Sequence, residues 1–286
     1  GIGVETARAL AAAGADVMIA VRDRVAGERI AQQLNESIGA DRVVAGTLDL
    51  ASLSSVGAFV DAWGDEPLDI LINNAGVMAT PLLHTAEDLE LQIGTNHFGH
   101  FVLTMGLARA LMNAAEEDRM ARVVQLSSIG HRRSGINWDD IHYRTRPYDK
   151  WEAYGQSKTA NALFTVAFTE RFLDHGITAN AVMPGGIMTP LQRYLPREEM
   201  VAMGWMDAEG NVVEGFKTTE QGASTSVWAA VGEELEGEGG LYLEDCAEAM
   251  PWTKANPSKG VMPHALDPED AERLWAISEE TTGVRL

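Results

Sequence analysis

Cysteine is nearly absent. Cys246 stands alone among 286 residues, so no disulfide can form within the chain, and a reducing cytoplasm is the simplest setting. Long apolar runs are missing too: none approaches the roughly 20 residues needed to span a bilayer. Gly1-Ile2-Gly3-Val4-Glu5 shows no basic region ahead of an apolar stretch, so no secretory signal is expected. Lysine is scarce, with five residues in a basic total of 22, while Asp and Glu number 42. The formal charge of −20 disfavours nucleic acid and anionic membrane surfaces as partners, because both select basic patches. Repeats, low-complexity tracts and Pro/Ser linkers are also lacking. What remains is 45% hydrophobic, an ordinary globular share, over a length that suits one large α/β domain spanning 1–286.

Short runs rich in Val, Ile and Leu predict strands over 17–21, 43–48, 69–72, 122–126, 177–183 and 240–243. They are continuous rather than alternating, as strands buried on both faces of a parallel sheet are. Between them, helices are expected over 3–13, 24–37, 53–63, 86–115, 151–174 and 219–231. A last one covers 268–280, with Asp267 as N-cap, Pro268 opening it and Gly283 just past its end. This alternation predicts a three-layer, doubly wound, mostly parallel α/β fold.

The beginning is unusual for such a fold, which should open on a strand. Gly1-Ile2-Gly3 leads directly into an Ala-rich helix and reads as the tail of a glycine-rich phosphate loop, since free N–H groups at a helix start can hold a pyrophosphate. A flexible terminal glycine pair is the plainer alternative. The strand and first glycine that should precede the loop are not in the sequence, and a fragment of a longer parent is the favoured explanation.

The strand over 17–21 ends at Val21-Arg22. An acidic residue for the ribose 2′-hydroxyl of NAD is missing from Val21, and Arg22 offers a charged fork for the 2′-phosphate of NADP. NADP(H) is therefore favoured over NAD(H), although Asp23 next door weighs against it. Asp49-Leu50 follows the next strand, where the carboxylate can accept from an adenine amino group or close a turn. Asn73-Asn74-Ala75-Gly76 follows the strand over 69–72, and its small residues let backbone approach a flat ring.

Tyr154-Gly155-Gln156-Ser157-Lys158 carries the chemistry. Four residues apart on a helix, Tyr154 and Lys158 share a face. A phenol of pKa ~10 is a poor base at neutral pH, and a nearby ammonium is expected to lower it. Y-x-x-x-K recurs by chance in many helices. Here it follows Leu126-Ser127-Ser128 at a strand end, the edge where such sheets bind ligands. Either serine can hold a substrate oxygen beside the tyrosine; Ser128 is the first choice and Ser127 its competitor.

Taken in order, Gly1-Ile2-Gly3, Asn74-Ala75-Gly76, Asn96, Ser128, Tyr154/Lys158 and Pro184-Gly185 resemble the motifs of the short-chain dehydrogenase/reductase family, a Rossmann-type fold, over nearly the whole chain. Thr95-Asn96-His97-Phe98-Gly99-His100-Phe101, Ala153 to Asn161 and Ile136-Asn137-Trp138-Asp139-Asp140 are similar to its retinol-dehydrogenase-like branch. The resemblance implies a carbonyl/alcohol oxidoreductase with Tyr154 as acid/base. Lys158 then lowers its pKa and binds the nicotinamide ribose, Ser128 orients the substrate oxygen, and Asn96 anchors a water that relays protons. For Asn96, an amide bonded to backbone is the alternative. The resemblance also assigns the nicotinamide carboxamide to Pro184, Gly185, Ile187 and Thr189, and implies a homodimer or homotetramer built on the helix that carries Tyr154.

Met188, Met200, Met203, Trp205 and Met206 suggest a substrate lid over 188–216 and a lipophilic substrate. His97 and His100 are read as packing, and no metal site is expected. Two rivals stand beside the enzyme reading: a non-catalytic NADP-binding sensor or scaffold on the same fold, and an inactive fragment.

Overall fold

A computed structural model of the chain describes residues 1–116 and 119–285. It opens on helix α1 (Ile2–Ala12), followed by β1 (Val17–Val21), α2 (Arg24–Ile38), β2 (Val43–Thr47), α3 (Leu53–Trp63) and β3 (Ile70–Asn73). A broken helical stretch comes next: α4 (Leu91–Ile93), one π-helical turn (Gly94–Phe98), α5 (Gly99–Gly106) and α6 (Ala108–Ala114). Then come β4 (Ala121–Leu126), α7 (Lys150–Phe172), β5 (Ile177–Met183), α8 (Arg197–Ala202), α9 (Thr219–Val231), β6 (Tyr242–Glu244), β7 (Ala247–Glu248) and α10 (Pro268–Thr282).

The strands form a Rossmann-like, mostly parallel sheet in two pieces. One pairs β1 with β2; the other runs β3-β4-β5-β6-β7, with only β7 antiparallel. No strand precedes α1 among the described residues. Val17 of β1 and Ile70 and Ile72 of β3 nevertheless pack on one apolar cluster with Leu10, Val124, Leu126 and Val182. Strand parity sends alternate side chains to opposite layers. Ala121 and Val123 face α3, α5, α7 and α10, whereas Val124 and Leu126 face α1 and α9.

Local chemistry explains the helix ends. The carboxylate of Asp23 caps α2 and that of Asp149 caps α7, where it accepts from the Trp151 and Glu152 N–H groups at 2.8 Å. The last helix keeps its expected signals: Asp267 accepts from Glu269 and Asp270, Pro268 opens the helix, and Gly283 closes it at φ +72°. The single helix expected over 86–115 is corrected. Residues 84–90 form a bridged turn, and the helix starts at Leu91, where the Glu90 carboxylate accepts from the Gln92 and Ile93 N–H groups. The short antiparallel β7 and helix α8 carry too few residues for a periodic signal.

α10 lies across α7. Trp275 stacks on Phe164 at 6.1 Å and meets Phe101 edge-on at 5.1 Å, and Arg171 pairs with Glu272. Of the residues of α7, only Glu170 is exposed. Most of α7 is thus covered within the chain. No described helix is long and apolar enough to cross a membrane.

Candidate active site

The start of α1 has no side-chain cap, and Gly1 is exposed, so its first N–H groups are open to an anion. Three close approaches gather the expected cofactor residues around it. A Cβ on Gly3 would lie 2.6 Å from Asn74 Nδ2, and one on Gly1 4.0 Å from Thr189 Cβ. A Cβ on Gly222 would meet Ile187 at 2.7 Å and Ile2 at 2.9 Å. Gly1, Ile2, Gly3, Asn74, Ile187 and Thr189 therefore converge where β3 and β5 end.

The Pro184-Gly185 turn has Gly185 at φ +101° and is held by Lys217, whose Nζ donates to the Pro184 carbonyl at 3.2 Å and to Asp245 at 2.6 Å. The Thr189 hydroxyl caps the following turn, Pro190–Tyr194. Arg22 is exposed just past β1. Its acidic neighbour Asp23 accepts from the Ala26 N–H, and Arg24 is paired with Glu28. Asp49 accepts from the Ala51 N–H at 3.0 Å, a turn closure that leaves its second oxygen available. Leu50 is buried, its carbonyl against Gly99, and Ala75 is exposed.

The two serines are placed differently. Ser127 is buried and donates to the Lys158 carbonyl at 2.8 Å, which fixes strand β4 to helix α7. Ser128 turns the other way. Its Oγ accepts from the Gly130 N–H at 3.1 Å and lies on the Tyr154 side: a Cβ on Gly130 would meet both the Tyr154 ring and Ser128 Oγ, at 2.8 and 3.5 Å. Gly130 is needed there, because a Cβ would come within 2.8 Å of the Tyr154 ring.

Tyr154 and Lys158 are each 5% exposed. Lys158 Nζ donates to the Leu126 carbonyl at 2.8 Å and lies 5.8 Å from the centre of the Tyr154 ring. Burial pushes the ammonium down to about 7. Burial pushes the phenol up to about 12, and the Ser128 hydroxyl pulls it partly back. This direction is opposite to the lowering expected from Lys158.

Asn96 lies in the π-helical turn. Both its amide protons are used, on the Val77 carbonyl and Ser157 Oγ at 2.9 Å, and its Oδ1 accepts from the Val77 N–H at 2.8 Å. Gly76 leaves the room that Asn96 and Lys158 share, since a Cβ there would lie 2.9 Å from Asn96 Oδ1 and 3.7 Å from Lys158 Nζ. His97 and His100 are buried, bonded to Ser278 Oγ and the Asn96 carbonyl, and pushed by burial to about 3 and about 4. They are neutral packing residues.

An apolar wall stands over Tyr154. Met78, Ala79, Leu191, Leu195 and Met200 pack there with Trp151 and Trp205. Glu199 ties α8 to the start of α7 by accepting from Lys150 Nζ at 2.6 Å and Trp151 Nε1 at 3.1 Å. Gln92 holds Ala79, at φ +52°, by accepting its N–H at 2.8 Å, and donates to Tyr148 and the Lys150 carbonyl. Gln92, Glu199 and Lys217 belong to no motif, so sequence reasoning passed over them.

A dinucleotide fits these residues. The helix start offers donors to a phosphate, Lys158 is a buried cation whose protein acceptor is a carbonyl, and Asn74 Oδ1 is a buried acceptor without a protein donor.

Comparison with known proteins agrees. Residues 1–200 match the short chain dehydrogenase family model. A protein of Streptomyces antibioticus described as a "probable oxidoreductase" is 47% identical over 279 residues, covering 96% of this chain and 92% of its own. Human retinol dehydrogenase 12 is 38% identical over 287 residues, covering 100% of this chain and 84% of its own. A crystal structure of an uncharacterized protein from Mycobacterium paratuberculosis superposes with a TM-score of 0.75 at 34% identity, covering 99% of this chain and 90% of that one. The chain belongs to the short-chain dehydrogenase/reductase family, as an NAD(P)-dependent oxidoreductase that resembles its retinol-dehydrogenase-like branch.

Proposed function

We propose that this chain interconverts a carbonyl and an alcohol with NADP(H), with Tyr154 as the acid/base. The observation that carries the reading is that Ser128 Oγ and the Tyr154 ring meet beside Gly130, with Lys158 buried on the same helix face, its Nζ 5.8 Å from the centre of that ring, beneath an apolar wall.

Bound NADPH supplies the hydride. Gly1, Ile2 and Gly3 would hold its pyrophosphate, Arg22 its 2′-phosphate, and Asp49 and Leu50 its adenine. Asn74, Ala75 and Gly76 would give its rings close backbone approach. Tyr154 and Lys158 would take the nicotinamide ribose, and Pro184, Gly185, Ile187 and Thr189 the carboxamide.

In the reductive direction Ser128 and Tyr154 hold the substrate oxygen. Tyr154, a neutral phenol, gives its proton to that oxygen while the carbonyl carbon receives hydride, and the alcohol results. Holding both partners in place makes the transfer an intracomplex step. Asn96 supports this by fixing Val77 and Ser157 at the base of the site. Residues 188–216 act as a lid, and Leu195, Met200 and Trp205 give it an apolar inner surface that favours a lipophilic substrate in a cytoplasmic setting.

Turnover is tested by following NADPH absorbance across a library of aldehydes and ketones; no consumption with any of them, under conditions where NADPH binds, would sink the reading. Arg22→Ala should raise the Kd for NADPH on the order of 10–100-fold, the worth of one or two charge-assisted hydrogen bonds, and leave NADH almost untouched. Equal losses for both cofactors would remove Arg22 from the 2′-phosphate.

A further inference from the structure

The carbonyl of Ser128 receives three donors. The His131 N–H lies at 3.1 Å, His131 Nδ1 at 2.7 Å and the Tyr242 hydroxyl at 3.0 Å. His131 lies in the turn Ile129–Arg133 that leaves β4, while Tyr242 comes from β6; they are 0% and 1% exposed. Neither was singled out by a motif, and neither contributes to the proton transfer described above.

Their protons can be placed by elimination. The Met262 N–H lies 3.1 Å from His131 Nε2, and a main-chain N–H can only donate. Nε2 is therefore the bare nitrogen, and the neutral ring carries its proton on Nδ1. That N–H faces the Ser128 carbonyl and also Tyr242 Oη, 2.9 Å away. The Tyr242 proton then has the Ser128 carbonyl as its acceptor. Burial supports this assignment, since it pushes the imidazole down to about 4 and the phenol upward, so both stay neutral.

The other side of His131 is latched as well. Its carbonyl accepts from Thr159 Oγ1 at 3.2 Å and His264 Nε2 at 3.0 Å. Thr159 adjoins Lys158 on α7, and His264 belongs to the segment before α10. The buried ring thus links the backbone of Ser128 to β6 and Met262, and the carbonyl of the same residue adds contacts to α7 and His264.

Ser128 is extended, at φ −167° and ψ 158°, and caps the turn that holds His131. The direction of its Oγ follows from the setting of its own backbone. Two side-chain donors on its carbonyl fix the peptide plane that would otherwise rock and swing Oγ away from Tyr154.

We propose that His131 and Tyr242 are positioning residues that act through Ser128. They touch neither substrate nor cofactor, and the proposal rests on the role given to Ser128 under Proposed function.

A double-mutant cycle tests it. Tyr242→Phe removes one hydroxyl and keeps the ring. It should lower kcat on the order of 10-fold, the effect of one hydrogen bond, with KM and the NADPH Kd from fluorescence titration within about 2-fold of wild type. In a Ser128→Ala background the same change should have no further effect. His131→Asn, whose amide N–H reaches the Nδ1 position, should keep most of kcat, whereas His131→Gln, whose amide sits nearer Nε2, should lose it. Losses that multiply in the double variant, a Tyr242→Phe variant as fast as wild type, or Asn and Gln variants that behave alike would each overturn the proposal. Full turnover by Ser128→Ala would instead overturn the role of Ser128 itself, and the proposal with it.

Discussion

Tyr154→Phe should lower kcat by about 10²–10⁴-fold, the usual worth of a positioned general acid, while the NADPH Kd changes little. Phenylalanine fills the same space against Met78, Ala79 and Leu195 and removes only the hydroxyl. The effect has a direction in pH. With the phenol pushed up to about 12, the donor form dominates at neutrality, so carbonyl reduction should be flat in pH there. Alcohol oxidation needs the phenolate and should rise with pH. Steady-state rates in both directions, with binding measured separately, check both points. A variant within 10-fold of wild type, or an oxidation rate that falls with rising pH, would remove Tyr154 from the proton transfer.

Lys158→Met should also abolish most turnover, yet make the protein more stable at pH 7. Lys158 is a buried cation whose Nζ donates to the Leu126 carbonyl, and burial lowers it from 10.5 to about 7. The unfolded chain keeps the proton up to about 10.5, whereas the folded chain releases it above about 7. Between those values the unfolded state binds more protons, so stability rises with pH. At and below pH 7 the penalty is at its full size, and above 10.5 it is gone. Methionine removes it. The Leu126 carbonyl is not orphaned, because Asn161 Nδ2 also donates to it at 2.8 Å. The gain should be on the order of 3 kcal/mol at pH 7 and should vanish toward pH 10.5. Denaturant unfolding at pH 7 and pH 10 measures it. A Met variant less stable at pH 7, or a gain unchanged at pH 10, would show that Lys158 is not a strained buried charge.

Residues 177–183 and 17–21 were legible as short β-branched and apolar runs between helical segments, and β5 and β1 have those bounds, although Thr178 and Asn180 interrupt β5 and Met18 of β1 is exposed. The caps of α10 were legible because Asp, Pro and Gly do their work locally. The break at 91–98 was not, since a π-helical turn is imposed by what packs around it; Asn96 is bound there to Val77 and Ser157, from distant parts of the chain. The choice between Ser127 and Ser128 stayed open at the motif level, although strand parity carries a signal for it. Strand parity puts position 127 on the side of Ala121 and Val123, facing α7, where its hydroxyl meets the Lys158 carbonyl. The pKa directions at Tyr154 and Lys158 depend on depth of burial, which a motif does not encode. The same is true of Gln92, Lys217, His131 and Tyr242, whose partners lie far off in sequence.

The placement of α10 across α7 also orders events during synthesis. Arg171 and its partner Glu272 are separated by 101 positions, so the helix with Tyr154 and Lys158 is made long before its cover. At roughly 5–20 residues per second, Phe164 and Phe168 wait about 5–20 s for Trp275 to emerge. During that interval the nascent chain presents an aromatic surface that the finished protein hides, a natural target for chaperones and for self-association. Truncation ahead of Pro268 would make that passing state permanent.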